Sequence, residues 1–151
     1  LNSLAKYGVG VLKRKNCTVI LTPHLKEFSR LTGKSVEDIT SNPQLFAEDF
    51  AKEYGVILLL KGADSIITDG VNTFVNQSGT TALAKAGSGD MLSGFMCGTV
   101  ARGISPLNAV CCSAYTMGIS AQISSAQKTD YCATAKDIIK NLHLAVKQLT
   151  D

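Results

Sequence analysis

No run of apolar residues approaches the ~20 needed to cross a bilayer, and no internal repeat, linker or low-complexity tract interrupts the 151-residue chain. An excess of one charge is also missing. Fifteen Lys and Arg oppose twelve Asp and Glu, a net of +3 spread along the whole length, so there is no basic stripe of the kind that marks nucleic-acid binding. These absences set aside membrane-spanning and nucleic-acid-binding roles. They leave a small molecule as the expected anionic partner.

Histidine is scarce: His24 and His143 lie too far apart to form a local metal motif. The five cysteines, Cys17, Cys97, Cys111, Cys112 and Cys132, are odd in number and nowhere in C-x-x-C spacing. No metal site is expected. Most of them sit in apolar runs such as Ala109–Cys112, where a thiol packs as a small hydrophobe, so they are read as reduced and the protein as cytoplasmic. The chain opens at Leu1 with neither an initiator Met nor a signal peptide, which predicts a fragment of a longer polypeptide.

What is present has the make-up of one globular domain over residues 1–151, with 45% hydrophobic and 18% charged residues. Leu1, Leu4, Ala5, Val11 and Leu12 at near-helical spacing predict an amphipathic helix over 2–14. Cys17–Leu21 reads as a strand buried on both faces and stopped by Pro23. A short helix follows over 25–31 with Gly33 past its end, and Ser35 with Asp38 resembles a capping box. Asn42, Pro43 and Gly55 frame a helix over 43–54. Val56–Leu60 reads as the middle strand of a parallel sheet, ending at Lys61-Gly62. Residues 65–68 and 73–75 pair around the hairpin signal Asp69-Gly70.

Beyond Gly79 a small, polar stretch leads through Gly87-Ser88-Gly89 into a helix ending near Gly103. Ser105-Pro106 begins another helix, reaching about Ser125, and Thr134 with Asp137 caps a last amphipathic one. Met91, Phe95, Met96, Met117, Ile119, Tyr54, Tyr115 and Tyr131 are read as packing residues. This order of elements is that of an α/β layered domain. Ligands in such sheets bind beyond the carboxyl ends of strands, so His24, Lys61 and the glycine loop are expected to face one crevice.

Gly87-Ser88-Gly89-Asp90 carries the most chemistry. Two glycines let backbone amides turn toward one point, and the helix behind them aims its positive end there, which makes an anion site. Asp90 in the first turn is placed to take a proton from an attacking hydroxyl. The same four residues also suit a helix start that needs flexible glycines and an Asp against the dipole. Lys61 suits either a phosphate or solvent, His24 either a ligand or a loop hydrogen bond, and Lys26 and Lys85 either a phosphate contact or solvent.

A longer pattern discriminates. Thr22-Pro23-His24 with Glu27-Phe28 and Leu31, Leu60-Lys61-Gly62-Ala63, Asp69-Gly70, Asn76, Gly79, Ala84–Gly94 and Tyr131–Ile139 resemble, in order and spacing, ADP-dependent NAD(P)H-hydrate dehydratases of the ribokinase-like class. The resemblance departs at Leu25-Lys26, where the family has Pro-Gly, and at Thr80–Ala84, where it has Asn-Pro-Gly-Met-Ala.

The resemblance implies a ribokinase-like α/β/α layered domain, here its C-terminal part. The activity implied is dehydration of hydrated NADH or NADPH with ADP or ATP as phosphoryl donor, by phosphorylation of the ring hydroxyl and loss of phosphate. By the same likeness Asp90 is the base and a substrate contact, and Gly87, Ser88 and Gly89 form the anion hole. His24 contacts the dinucleotide, while Lys61, Gly62, Ala63, Asp64, Ser65 and Gly89 contact the nucleotide. Mg²⁺ is expected to accompany the phosphates. The amino-terminal half of the family's domain has no counterpart in this sequence and is expected in the same polypeptide or on another chain. Without it a sheet edge would be exposed, and self-association into a homo-oligomer is expected. Two other readings stay open: a ribokinase-like kinase for a small alcohol such as a vitamin precursor, and a nucleotide-binding module without turnover.

Overall fold

Ile57–Leu60 (β2) is a run of large aliphatic residues, all buried, and it organises the sheet of the first half of the chain. The computed structural model describes residues 1–151 and resolves them into two compact units, Leu1–Asn76 and Gln77–Asp151.

In the first unit four strands run in the order β1-β2-β3-β4, with β1 spanning Ile20–Leu21, β3 Ser65–Thr68 and β4 Thr73–Asn76. The β1–β2 pair is parallel, Ile20 opposite Ile57, whereas β2–β3 and β3–β4 are antiparallel. The expected parallel setting of β2 therefore holds on one side only. The reason lies in the connections. Leu60 pairs with Ile66 across a short loop, and a link that short permits only an antiparallel return.

The strand expected over Cys17–Leu21 contracts to two residues. Cys17 and Thr18 are exposed, and the Ile57 amide still reaches the Val19 carbonyl at 3.0 Å. β1 is an edge of this sheet, so its burial is partial.

The amphipathic helix expected over 2–14 is also divided. It runs as an α-helix over Asn2–Tyr7 (α1) and then as a 3-10 turn over Val9–Arg14, broken at Gly8, whose φ is +102°. Two glycines within three residues weaken the helix there, and Val11, counted on the apolar face, is exposed.

Elsewhere local signals act as read. α2 (Leu25–Thr32) and α4 (Pro43–Tyr54) end on left-handed Gly33 and Gly55, and the Asn42 side chain caps α4. Ser35 caps the short α3 (Val36–Ser41), with its hydroxyl rather than its amide bonded to the Asp38 carboxylate. Phe28 and Phe50 pack edge to face at 5.3 Å in a core with Leu31, Ile39, Leu58 and Leu60. Side chains of that size each contribute about 1.5–3 kcal/mol when fully buried.

The second unit is helical: α5 (Ser88–Ala101), α6 (Pro106–Lys128) and α7 (Ala135–Thr150). α6 buries small and hydroxylated residues. The Ser120 hydroxyl donates to the Ile138 carbonyl, and the Asn141 amide donates to Ser124 Oγ at 2.9 Å, so the polar groups between α6 and α7 are satisfied. Met96 and Met117 are buried, while Met91, Phe95 and Ile119 are half-buried.

Two packing expectations are corrected. Tyr131 is 94% exposed and Tyr115 is also exposed. All five cysteines are free, but four are exposed and only Cys111 is half-buried, because the apolar runs that carry them turn their Ala, Val and Met faces inward. No helix is long and apolar enough to cross a membrane.

Candidate functional site

In the first unit the strand ends bring two of the expected residues together. The Lys61 amide donates to the Pro23 carbonyl at 2.8 Å, and His24 and Lys61 form a parallel bridge that extends the β1–β2 pairing. His24 and Lys61 thus leave adjacent strand ends side by side.

His24 is also the N-cap of α2. Its Nδ1 accepts from the Glu27 amide at 3.1 Å, and the Glu27 carboxylate accepts from the His24 amide at 2.8 Å. This is a capping box with histidine in the place usual for Ser or Thr. An accepting Nδ1 places the proton of a neutral ring on Nε2, which lies 3.5 Å from the Glu27 carboxylate on a half-exposed side chain.

Lys61 to Asp64 form the loop between β2 and β3. Lys61 is half-buried, Gly62, Ala63 and Asp64 are exposed, and the Ser65 hydroxyl folds the loop back by donating to the Gly62 carbonyl at 3.2 Å. Lys26 is exposed on α2.

In the second unit Gly87 stands at the N-terminus of α5 with φ +88°, a left-handed conformation open to glycine at little cost. The Ser88 amide turns back to the Lys85 carbonyl at 3.2 Å, and the first helical bond runs from Met91 to Gly87 at 3.0 Å. The amides of Gly89 and Asp90 have no acceptor within the helix. They point, with the helix dipole, out of its N-terminal end. Asp90 is exposed in the first turn, whereas Ser88 is 5% exposed and its hydroxyl is buried without a hydrogen-bond partner. Such an orphan is uncommon in a folded protein.

The loop before α5 is knitted to the segment before α7. Thr80 Oγ1 and Ser125 Oγ lie 2.9 Å apart, and the Thr81 hydroxyl donates to the Asp130 carboxylate. The hydrogen bond from Ser125, and after it the one from Thr81, hold the Asp130 carboxyl below the ordinary carboxylate range. The Lys85 ammonium donates to the carbonyls of Asp130 (2.7 Å), Tyr131 (2.9 Å) and Ala133. Lys85 is therefore neither solvated nor free for a phosphate. The sequence offered no sign of this, because its acceptors are main-chain atoms 45 to 48 residues away. No group of three or more His, Cys, Asp and Glu comes together that would hold a metal ion by itself.

A family model described as Carb_kinase, NAD(P)H-hydrate dehydratase, matches residues 1–144. A protein of Cenarchaeum symbiosum named ADP-dependent (S)-NAD(P)H-hydrate dehydratase is 38% identical over 120 residues, 80% of this chain and 41% of that protein. The crystal structure of the ADP/ATP-dependent NAD(P)H-hydrate dehydratase of Bacillus subtilis, co-crystallised with ATP and Mg²⁺, superposes with a TM-score of 0.83. It is 30% identical, over 87% of this chain and 48% of that one. A ribokinase-like superfamily protein of Enterococcus faecalis shares the fold, with a TM-score of 0.72 at 24% identity over 93% of this chain and 50% of that one. The α/β fold is thus ribokinase-like. The chain spans about half or less of the length of these relatives.

Proposed function

Because the chain belongs to the NAD(P)H-hydrate dehydratase family, we propose that it supplies the phosphoryl-transfer end of an ADP- or ATP-dependent enzyme that dehydrates hydrated NADH or NADPH. The observation that carries this reading is the N-terminus of α5: two amides without helical acceptors, an orphaned Ser88 hydroxyl and the Asp90 carboxylate within four residues. The names of the relatives support the choice of substrate.

In this reading Asp90 contacts the hydrated ring and removes the proton of its hydroxyl as that oxygen attacks the terminal phosphoryl group of the donor. An O–P bond forms and the donor's bridging P–O bond breaks. Gly87 sets the turn, and the amides of Gly89 and Asp90 with the Ser88 hydroxyl receive the charge on the phosphoryl oxygens. Phosphate then leaves with the electron pair of its C–O bond and a proton leaves the neighbouring ring carbon, which restores the double bond. His24 Nε2 meets the dinucleotide, and Lys61 with the loop to Ser65 meets the nucleotide phosphates.

Mg²⁺ would be carried by the nucleotide phosphates and would neutralise their charge. Residues 1–151 then act as part of a larger ribokinase-like domain. The outer edge of β1 is met by sheet from elsewhere in the polypeptide or by another copy of the chain, in a soluble, cytoplasmic enzyme.

The test is to supply the full-length protein with hydrated NADH and ADP or ATP. Return of NADH absorbance with release of free phosphate supports the reading. A stable phosphorylated product from a small alcohol, with no NADH recovered, replaces it with a kinase, and nucleotide binding without either product replaces it with a binding module.

A further inference from the structure

Lys85 lies two residues before Gly87 and is bonded at both ends. Its carbonyl accepts the Ser88 amide at 3.2 Å, and its ammonium donates to the carbonyls of Asp130, Tyr131 and Ala133. An ammonium has three protons and here meets three acceptors, so its donor capacity is filled by the protein. Around it the two segments touch again. A Cβ placed on Gly87 would lie 3.9 Å from the Cβ of Ala135, and Thr81 holds the Asp130 side chain.

Thr129, immediately before these carbonyls, is the only non-glycine residue with positive φ, at +73°. That conformation is an outlier for a β-branched residue and persists where the surroundings over-determine it. Three carbonyls converging on one point next to a strained residue form a cation cage, and the cation is tethered to the loop that begins α5.

We propose that Lys85 is a positioning residue: its ammonium is a built-in cation that locks the Asp130–Ala133 turn against the loop delivering Ser88, Gly89 and Asp90. The fit calls for a compact point charge with N–H donors, which a planar guanidinium does not supply in the same space. Loss of the charge lets the carbonyls repel one another and releases the loop. The kinetic consequence rests on the function proposed above, while the structural consequence does not.

The experiment uses Lys85→Ala and Lys85→Met in the full-length protein. For Lys85→Ala, kcat falls roughly tenfold to a hundredfold while the KM for ADP moves less than about threefold, because the loop is misplaced rather than the nucleotide site removed. n-Propylammonium, which refills the vacated space, restores part of the rate. Tetramethylammonium, with the same charge and no N–H, does not. Lys85→Met keeps the stem, loses the rate and is not rescued.

Independently of turnover, n-propylammonium raises the Tm of Lys85→Ala by several degrees over sodium at equal ionic strength and leaves the wild type unchanged. Wild-type kcat and Tm in Lys85→Ala, or equal rescue by tetramethylammonium, overturn the proposal. If the wild type turns over nothing, the function reading fails and the melting comparison still decides Lys85. If Lys85→Ala does not fold, a folded Lys85→Met with wild-type kcat overturns the proposal, and one with reduced kcat supports it.

Discussion

His24 and Glu27 cap one another at the start of α2, the Glu27 amide donating to His24 Nδ1 and the Glu27 carboxylate accepting the His24 amide. One ring nitrogen is thus committed to structure, and the other, 3.5 Å from the Glu27 carboxylate on a half-exposed side chain, is the one proposed to meet the dinucleotide. The two roles are separable by substitution. His24→Ala loses the cap, which costs about 1 kcal/mol in chemical denaturation, and also weakens the hydrated substrate. His24→Asn keeps a capping oxygen, so stability returns to near the wild-type value while the substrate KM stays raised. Equal KM values in His24→Asn and the wild type would remove His24 from the substrate site.

Ser88 gives the opposite pairing of effects. Its buried hydroxyl has no partner, so Ser88→Ala removes an unsatisfied group and leaves stability unchanged or slightly higher. Activity nevertheless falls, by roughly tenfold to a hundredfold, if that hydroxyl donates to a phosphoryl oxygen. A Tm series alongside kcat reads both; an unchanged kcat would assign Ser88 to packing alone.

Gly87→Ala tests backbone conformation rather than space. A Cβ there meets only ordinary contact with Ala135, at 3.9 Å, but φ is +88°. The left-handed conformation costs a side-chain-bearing residue roughly 1–2 kcal/mol. Either stability drops by that amount, or the loop relaxes and kcat drops instead; a variant unchanged in both contradicts the geometry.

Asp137 links α7 to pH. Its carboxyl is held well below the ordinary value of 3.8, first by the hydrogen bond from Lys128 at 2.8 Å and then by the amide and hydroxyl of Thr134. A depressed folded-state pKa stabilises the folded protein above the unfolded value, and the benefit disappears as pH falls from about 4 through the folded value. Asp137→Asn accordingly lowers Tm at neutral pH, and the gap from wild type narrows below pH about 4. A gap constant from neutral to strongly acid pH would show that the carboxylate's charge does not matter.

The legible parts of this chain were those encoded by near neighbours. Asn42, Pro43 and Gly55 bound α4 to the residue, and Thr134 with Asp137 capped α7, because caps and stops act over three or four positions. The start of α5 after Gly87 was readable for the same reason. The break at Gly8 was hidden by apolar spacing that continued across it. The shortness of β1 was hidden because strand length is set by the partner, and β1 has one partner only. Lys85 was illegible since its meaning lies in the main-chain oxygens of a distant segment, which no residue type announces.

The most direct measurement of the central claim is Asp90→Asn in the full-length protein, with turnover of hydrated NADH and binding of ADP followed together. The account predicts that kcat falls by at least about a hundredfold, the usual contribution of a positioned base, while the Kd for ADP is unchanged. Turnover of Asp90→Asn at the wild-type rate would contradict it.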